Sequence, residues 1–481
     1  VEDERKGRKD GGKEGIFLLS ALKKVHFIGI GGYGMSGLAF VLLQSGYSVS
    51  GSDLRNCALT RLLAQAGAKV FLGHRAEQIG DAQLVVYSTA IPEHNPELLA
   101  ARERKIPLWH RSELLAAVFN EKKGVAVAGA HGKTTTTAMI ALLMERGGFE
   151  PTSIIGGEVS FLGGNARLGK GHHVVAEACE SDHSFLRYRP ALALVTNIEA
   201  DHLEHYGGTF DRLVAAYTVF INNVKEGGTA VLCADDPLLR DLRHHIRPAV
   251  VTYGFDAAAD FRVGRAVMEG LGSRFTVYLN DGYIGEFSLQ VPGEHNILNA
   301  LGAMAAAHCC GVPLPGMEES LRSFTGVKRR FEILGEAAGI MVVDDYAHHP
   351  TEVRATLAAA RGSGRRIICV FQPHRYTRTS FLWSEFVEAF HGAEILLLDD
   401  IYAAGEKPMD GISTGRLAEQ LQERGHRGVH FLSGREQLVA ALQQMTRRGD
   451  LVITMGAGDI GQVGRRLLDV LTARCCTAME G

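Results

Sequence analysis

The stretch AGAHGKTT at residues 128–135 constrains this chain more than any other feature. It follows an apolar run at 125–128 and precedes a helix-like segment at 135–146. A strand, a glycine-rich turn, Lys-Thr and then a helix is the arrangement that holds nucleotide phosphates. Glycines let backbone N–H groups approach the phosphate oxygens, and the helix N-terminus adds partial positive charge. Lys133 then reaches the β/γ-phosphates, and the Thr134 hydroxyl is placed to ligate Mg²⁺. The longer phosphate-loop pattern asks for Gly at position 127, where this chain has Val127. A glycine turn that merely caps a helix is the plainer alternative; the flanking strand and helix favour the nucleotide.

A chain of 481 residues has room for about three domains at ~150 residues each. Its hydrophobic fraction of 46% and charged fraction of 22% are those of a soluble globular protein. The net charge of −3 exerts no general pull toward nucleic acid or anionic membranes. No apolar run reaches the ~18 residues needed to span a bilayer. The apolar stretch at 16–22 is too short for a signal peptide and stops at Lys23-Lys24, so a cytoplasmic protein is expected. The eight cysteines form no CxxC pair and no metal spacing, which points to reduced thiols. Residues 1–21 begin with charged residues separated by glycine and are predicted to be a disordered tail. The last few residues are expected to be a loose end.

Short apolar runs alternate with helix-length amphipathic segments from residue 24 to about 470. The fold class is therefore α/β, as three consecutive domains with mainly parallel sheets. The predicted limits are 22–122, 123–325 and 326–481. In the first domain, Gly29, Gly31 and Gly34 make a GxGxxG within GIGGYGMSG, and Asp53 follows the next strand. That pattern predicts a second diphosphate site without saying whose diphosphate it is.

Ligands of open parallel sheets bind beyond the carboxyl ends of the strands. In the second domain, EACESD at 177–182 and NIEADHLEH at 197–205 follow two such strands, which collects Glu177, Glu180, Asp182, Asp201 and His202 beside the phosphate loop. Mg²⁺ on nucleotide phosphates needs only one or two of these carboxylates. In the third domain, four strand ends carry DDYAHHPTE at 344–352, QPHRYTRT at 372–379, DDIYAAGEKP at 399–408 and MGAGDI at 455–460. Four polar clusters at four strand ends exceed what fold maintenance requires.

Taken in order, GIGGYGMSG, GAHGKTTT, EACESD, TNIEADHLEHY, EHNILNA, KRRFE, DDYAHHPTE, FQPHRYTRT and GAGDI resemble the Mur ligase family across residues 24–465. The GMSG turn and FQPHRYTRT resemble the branch that adds L-alanine. The resemblance implies a Rossmann-like UDP domain, a central ATPase domain and a Rossmann-like C-terminal domain. It implies ATP and Mg²⁺ as cofactors, with UDP-N-acetylmuramate and L-alanine as substrates in peptidoglycan synthesis. The UDP-sugar is assigned to Gly31, Gly34, Met35, Ser36, Asp53, Ser88, Thr89, Asn95 and Arg111. ATP is assigned to Gly129, Ala130, His131, Gly132, Lys133, Thr134 and Thr135, with His295, Asn296 and Asn299 at the adenosine and Arg330 and Asp345 completing the site. Thr134, Glu180 and His202 resemble the Mg²⁺ ligands. The amino acid falls to His348, His374, Arg375 and Arg378. Lys133, Arg330, His348 and His374 are the candidate catalytic groups.

Two departures stand out. Ala130 replaces the family's usual Thr, and residues 213–222 lack the lysine that sister ligases carbamylate to bridge metal ions. The chemistry implied is activation of a carboxylate as an acyl phosphate, followed by attack of an amine. It requires no enzyme nucleophile, and no Ser/His/Asp or Cys/His pattern is present. Three other readings compete. A recycling ligase would attach a tripeptide to the same sugar but resembles this chain less at QPHRYTRT. A nicotinamide oxidoreductase leaves the phosphate loop unexplained. A non-catalytic ATP-gated protein would have no use for the acidic and histidine clusters. The sequence leaves the oligomeric state open.

Overall fold

The computed structural model describes residues 22–480, so the tail predicted at 1–21 lies outside the described residues. The chain forms two compact units. One comprises residues up to Gly264 with Thr276–Glu286 and Leu298–Leu321; the other comprises Arg265–Phe275, Phe287–Ile297 and Arg322 onward.

Among the described residues three sheets carry the strands. The first consists of β1 (Lys24–Ile28), β2 (Ser48–Asp53), β3 (Lys69–Leu72), β4 (Leu84–Tyr87) and β5 (Leu108–His110). All its pairings are parallel, in the order β3-β2-β1-β4-β5. Strand order reverses between β1 and β4, which places a ligand crevice at the carboxyl end of β1. The glycine turn lies there, and the helix Tyr33–Gln44 follows it.

The second sheet holds β6 (Lys123–Ala128), β7 (Thr152–Val159), β8 (Gly164–Arg167), β9 (His173–Glu177), β10 (Leu192–Val195), β11 (Thr229–Cys233), β12 (Ala249–Gly254), β13 (Phe261–Glu269), β14 (Gly272–Leu279) and β15 (Gly282–Leu289). Its order is β15-β14-β13-β12-β11-β10-β6-β9-β7-β8. β6 pairs in parallel with β10 and β9, so the phosphate loop emerges between the two strands that lead into NIEADH and EACESD. β8 runs antiparallel to β7.

Within the first unit, the helix Tyr33–Gln44 packs on β7 and β8. Asn165 is buried there and donates from Nδ2 to the Tyr33 carbonyl at 2.6 Å and to Ser36 Oγ at 3.3 Å. Gly37 faces Ile154 and Ala166, and a Cβ at that position would lie 3.3–3.4 Å from them. The small residue lets the helix approach.

The third sheet lies in the second unit. It contains β16 (Glu332–Ala337), β17 (Ile340–Asp345), β18 (Arg366–Phe371), β19 (Ile395–Leu398), β20 (Val429–Phe431) and β21 (Asp450–Met455), in the order β16-β17-β21-β18-β19-β20. Only β16 is antiparallel to its neighbour. Alternate residues of a strand face opposite sides. Ile367, Cys369 and Phe371 accordingly enter one buried cluster, while Ile368 and Val370 enter the other. Covered on both faces, such strands read as continuous apolar runs. The C-terminal helix Gly461–Glu480 extends through residues expected to be loose, so that expectation is corrected.

Candidate active site

The phosphate loop takes its shape from two glycines. Gly129 has φ +135° and Gly132 φ +82°. A Cβ on Gly129 would lie 2.0 Å from Thr196 Oγ1, and one on Gly132 would lie 2.5 Å from Asn299 Oδ1. Only glycine fits both the backbone and the space. Asn197 grips the loop from β10: its carbonyl accepts Ala130 N–H at 3.2 Å, its Oδ1 accepts His131 N–H at 2.9 Å, and its Nδ2 donates to the His131 carbonyl at 3.1 Å. Thr196 Oγ1 donates to that same carbonyl at 2.6 Å. Beyond the loop, the helix Lys133–Arg146 begins with Gly132 at its N-cap and no capping side chain. Its first N–H groups and Thr134 therefore form the surface a phosphate would meet.

Lys133 folds back over this loop. Its Nζ donates to the carbonyls of Gly129 and Ala130 and pairs with Glu180 Oε1 at 2.9 Å. Burial alone would lower the lysine pKa, but the Glu180 carboxylate outweighs it and holds the ammonium above its ordinary value. The group stays charged. Glu180 is 4% exposed, and its Oε2 is buried with no hydrogen-bond partner. An orphaned, buried carboxylate oxygen is costly unless something fills the gap. Its position beside the lysine suits a divalent cation. His202, with φ +56°, opens the turn Leu203–Tyr206, and the Tyr206 hydroxyl donates to the Glu180 carbonyl, tying the two segments together. His202 Nε2 lies 3.5 Å from Asp201 Oδ2.

The GxGxxG turn is anchored by its own backbone. Gly29 and Ile30 N–H donate to the Ser52 carbonyl at 2.8 and 2.9 Å, and Gly31 N–H donates to Asp53 Oδ2 at 2.9 Å. Arg111 lies against Gly34, where a Cβ would sit 3.2 Å from its NH1, and reaches Asp182 Oδ2 at 3.4 Å. The structure thus joins Gly31 with Asp53, and Gly34 with Arg111. Ser88 and Thr89 follow β4 on the same sheet edge. Three other predicted residues have local tasks in the fold. Met35 and Ser36 are buried on the helix, with Ser36 Oγ bonded to the Tyr33 carbonyl. Asn95 is buried as the N-cap of Pro96–Glu103, its oxygen accepting Glu97 N–H at 2.9 Å. These side chains brace the turn and the helix.

On the helix Glu294–Cys309, Asn299 Oδ1 accepts the Thr136 hydroxyl at 3.1 Å and so abuts the phosphate loop. Asn296 Nδ2 donates to the Pro292 carbonyl at 2.7 Å, and His295 precedes it.

The second unit assembles the predicted amino-acid residues. His348 and His374 meet edge to face with centroids 5.8 Å apart. Arg378 NH1 lies 3.3 Å from His374 Nδ1. Arg375 has φ +68°, a strained backbone for a non-glycine, and its buried Nε has no hydrogen-bond partner. The Tyr402 carbonyl holds this bend by accepting Arg375 N–H at 2.9 Å, while the Tyr402 ring stacks on His374 at 5.6 Å and 9°. Arg330 lies over the Tyr346 ring at 5.2 Å and reaches Glu352 Oε1 at 3.4 Å. Asp345 is held by backbone donors. Its oxygens accept the N–H groups of Phe331 and Ala347, both at 2.7 Å, so it shapes the loop. Burial pushes its pKa up to about 6.

Three models of one family match in tandem: "Mur ligase family, catalytic domain" over residues 24–123, "Mur ligase middle domain" over 127–307 and "Mur ligase, glutamate ligase domain" over 329–458. The chain belongs to the Mur ligase family. Among its relatives, a UDP-N-acetylmuramate–L-alanine ligase of Myxococcus xanthus is 49% identical, covering 95% of this chain and 97% of the relative. A ligase of the same name from Geotalea daltonii is 47% identical, covering 94% and 99%. The crystal structure of a UDP-N-acetylmuramate-alanine ligase from Thermotoga maritima superposes with a TM-score of 0.81 at 30% identity, covering 94% and 99%. A murein peptide ligase from Psychrobacter arcticus shares the fold at a TM-score of 0.71 and 24% identity.

Asn197, Tyr402 and Glu352 of this Mur ligase carry no individual signal in the sequence, although all three lie inside the polar motifs at strand ends. Their tasks are grips on backbone or on another side chain, which become visible only when the segments are placed together.

Proposed function

We propose that this chain joins L-alanine to the lactyl carboxylate of UDP-N-acetylmuramate, ATP activating the carboxylate as an acyl phosphate. One observation carries the site chemistry: a charged lysine on the phosphate loop, paired with a buried glutamate that keeps an orphaned oxygen. It stands in a chain nearly half identical to relatives named for this reaction.

Carboxylate and ATP are both anions, so their approach needs positive charge in place beforehand. Lys133 and the N-terminus of its helix hold the transferring phosphoryl group. Mg²⁺, when bound, neutralises part of the phosphate charge; Thr134, Glu180 and His202 would hold it. Arg111, Gly31 and Gly34 receive the diphosphate of the sugar nucleotide, with Asp53 near its uridine. Arg375 and Arg378 offer planar forks for the alanine carboxylate, which a lysine could not match. Among the described residues no helix is long and apolar enough to cross a membrane.

The test is ADP release by the purified protein with UDP-N-acetylmuramate and each of the twenty amino acids, and with the tripeptide acceptor. Release that depends on L-alanine is the expected outcome. Release only with the tripeptide would replace this reading by the recycling reaction, and none with any acceptor would end it.

A further inference from the structure

The second unit holds two half-buried histidines beside one another, and the reaction proposed above needs one group to take a proton from the amine. We infer that His348, through its Nε2, takes this proton, that Glu352 holds His348 in the required tautomer, and that His374 acts only as a hydrogen-bond donor. This inference rests on the ligase reading.

Partners fix the tautomers. A carbonyl oxygen can only accept, so His348 Nδ1, 2.9 Å from the Tyr346 carbonyl, must carry the hydrogen. A guanidinium can only donate, so His374 Nδ1, 3.3 Å from Arg378 NH1, must carry the lone pair. Burial pushes both imidazoles down, to about 3 for His348 and about 4 for His374, so each is neutral near pH 7 with one N–H. His348 therefore offers a lone pair at Nε2, and His374 offers an N–H there. The two neighbouring rings are in opposite states. Only His348 can accept a proton without first breaking a bond.

Glu352 stands behind His348. Its Oε2 lies 3.3 Å from Nδ1 and accepts the His348 backbone N–H at 3.1 Å, while Oε1 faces Arg330. A carboxylate on the far nitrogen orients an imidazole and stabilises the imidazolium that forms. The plainer account is that Glu352 is the third residue of the helix Pro350–Arg361 and closes a capping box with His349. Capping explains its hold on backbone N–H groups. It does not explain a carboxylate oxygen set against the ring nitrogen opposite the lone pair.

The step balances. Alanine attacks as the free amine; its nitrogen bonds to the acyl carbon, the carbon–oxygen bond to phosphate breaks, and phosphate leaves with that electron pair. The surplus N–H proton passes to His348 Nε2 and later to solvent. Once bonded to the acyl carbon, the nitrogen is far more acidic than a free ammonium, so a weakly basic imidazole suffices.

The test separates acyl-phosphate formation from amide formation in the full-length protein. Isotope scrambling between the bridging and terminal oxygens of ATP, measured with UDP-N-acetylmuramate and no alanine, reports the first step; amide product reports the second. His348→Asn keeps a donor for the Tyr346 carbonyl and removes Nε2. It should leave scrambling within about threefold of the parent and cut amide kcat by about 10²-fold or more. Glu352→Gln keeps a capping oxygen; it should retain Tm and lose about tenfold in kcat. His374→Asn should raise the KM for alanine and lower kcat far less than His348→Asn does. The inference is overturned if His374→Asn loses kcat while His348→Asn keeps it, or if His348→Asn loses scrambling and amide formation equally. Absence of both scrambling and ADP release in the parent would fault the ligase reading itself.

Discussion

The two glycine-rich turns of the first unit share one local design and differ in where their positive charge comes from. Each joins a parallel strand to a helix whose N-cap is glycine without a capping side chain. The turn after β1 commits three successive N–H groups to Ser52 and Asp53 and borrows a guanidinium from Arg111, about 80 residues further along the chain. The loop after β6 carries its own lysine and is gripped by Asn197 from the next strand. A strand–glycine–helix turn therefore specifies that an anion can be held. The neighbouring side chains specify how much charge it can carry. A diphosphate that only needs holding suits the first turn, and a phosphoryl group that must be transferred suits the second.

The largest expected break in this comparison is Lys133→Ala. Turnover should fall by about 10²–10³-fold or more, since a charged contact to the transferring group is lost. UDP-sugar binding, read by calorimetry, should remain. The same change strips Glu180 of its partner, so Tm should fall as well. Near-normal ADP release would remove the lysine from the mechanism.

Asp53→Asn tests the other turn. It places an amide where two N–H groups seek an acceptor, and the KM for the UDP-sugar should rise about tenfold, or ~1.4 kcal/mol. The KM for ATP should hold; an equal rise in both would mean the two turns are not independent.

A smaller effect is expected from Asn197→Ala, which leaves the loop's charge intact and loosens its grip. A loss of about 1 kcal/mol corresponds to roughly fivefold in the KM for ATP. A loss as large as that of Lys133→Ala would show that shape outweighs charge in this loop. The smallest belongs to Ala130→Thr, which adds the hydroxyl usual in the family. One extra hydrogen bond is worth ~0.5–1 kcal/mol, so the KM for ATP should fall by no more than about fivefold.

Much of this was legible in the sequence because both turns and all four polar clusters of the third sheet lie where an apolar run stops. An apolar run marks a buried strand, and a polar cluster at its end marks the face where ligands gather. Less legible were β7 and β8, where Gly156, Gly157 and two further glycines at 163–164 interrupt the apolar pattern. The tasks of Asn95, Asp345 and Glu352 were hidden for another reason. A carboxylate or amide in a motif reads as a ligand contact, yet each of these bonds a backbone N–H two to fourteen residues away in sequence. Capping and binding use the same side chains, and only the placed backbone separates them.

The pairing of Lys133 with Glu180 has a consequence for what the resting loop can admit. An incoming anion alone must pull the lysine from its carboxylate and leave a buried negative charge exposed to another. A cation alone meets a carboxylate already neutralised by an ammonium. On the ligase reading, a complex of both would relieve the two groups at once, its metal meeting the carboxylate and its phosphate the lysine. The ligand-free loop would then admit a pre-assembled metal–nucleotide more readily than phosphate or magnesium alone.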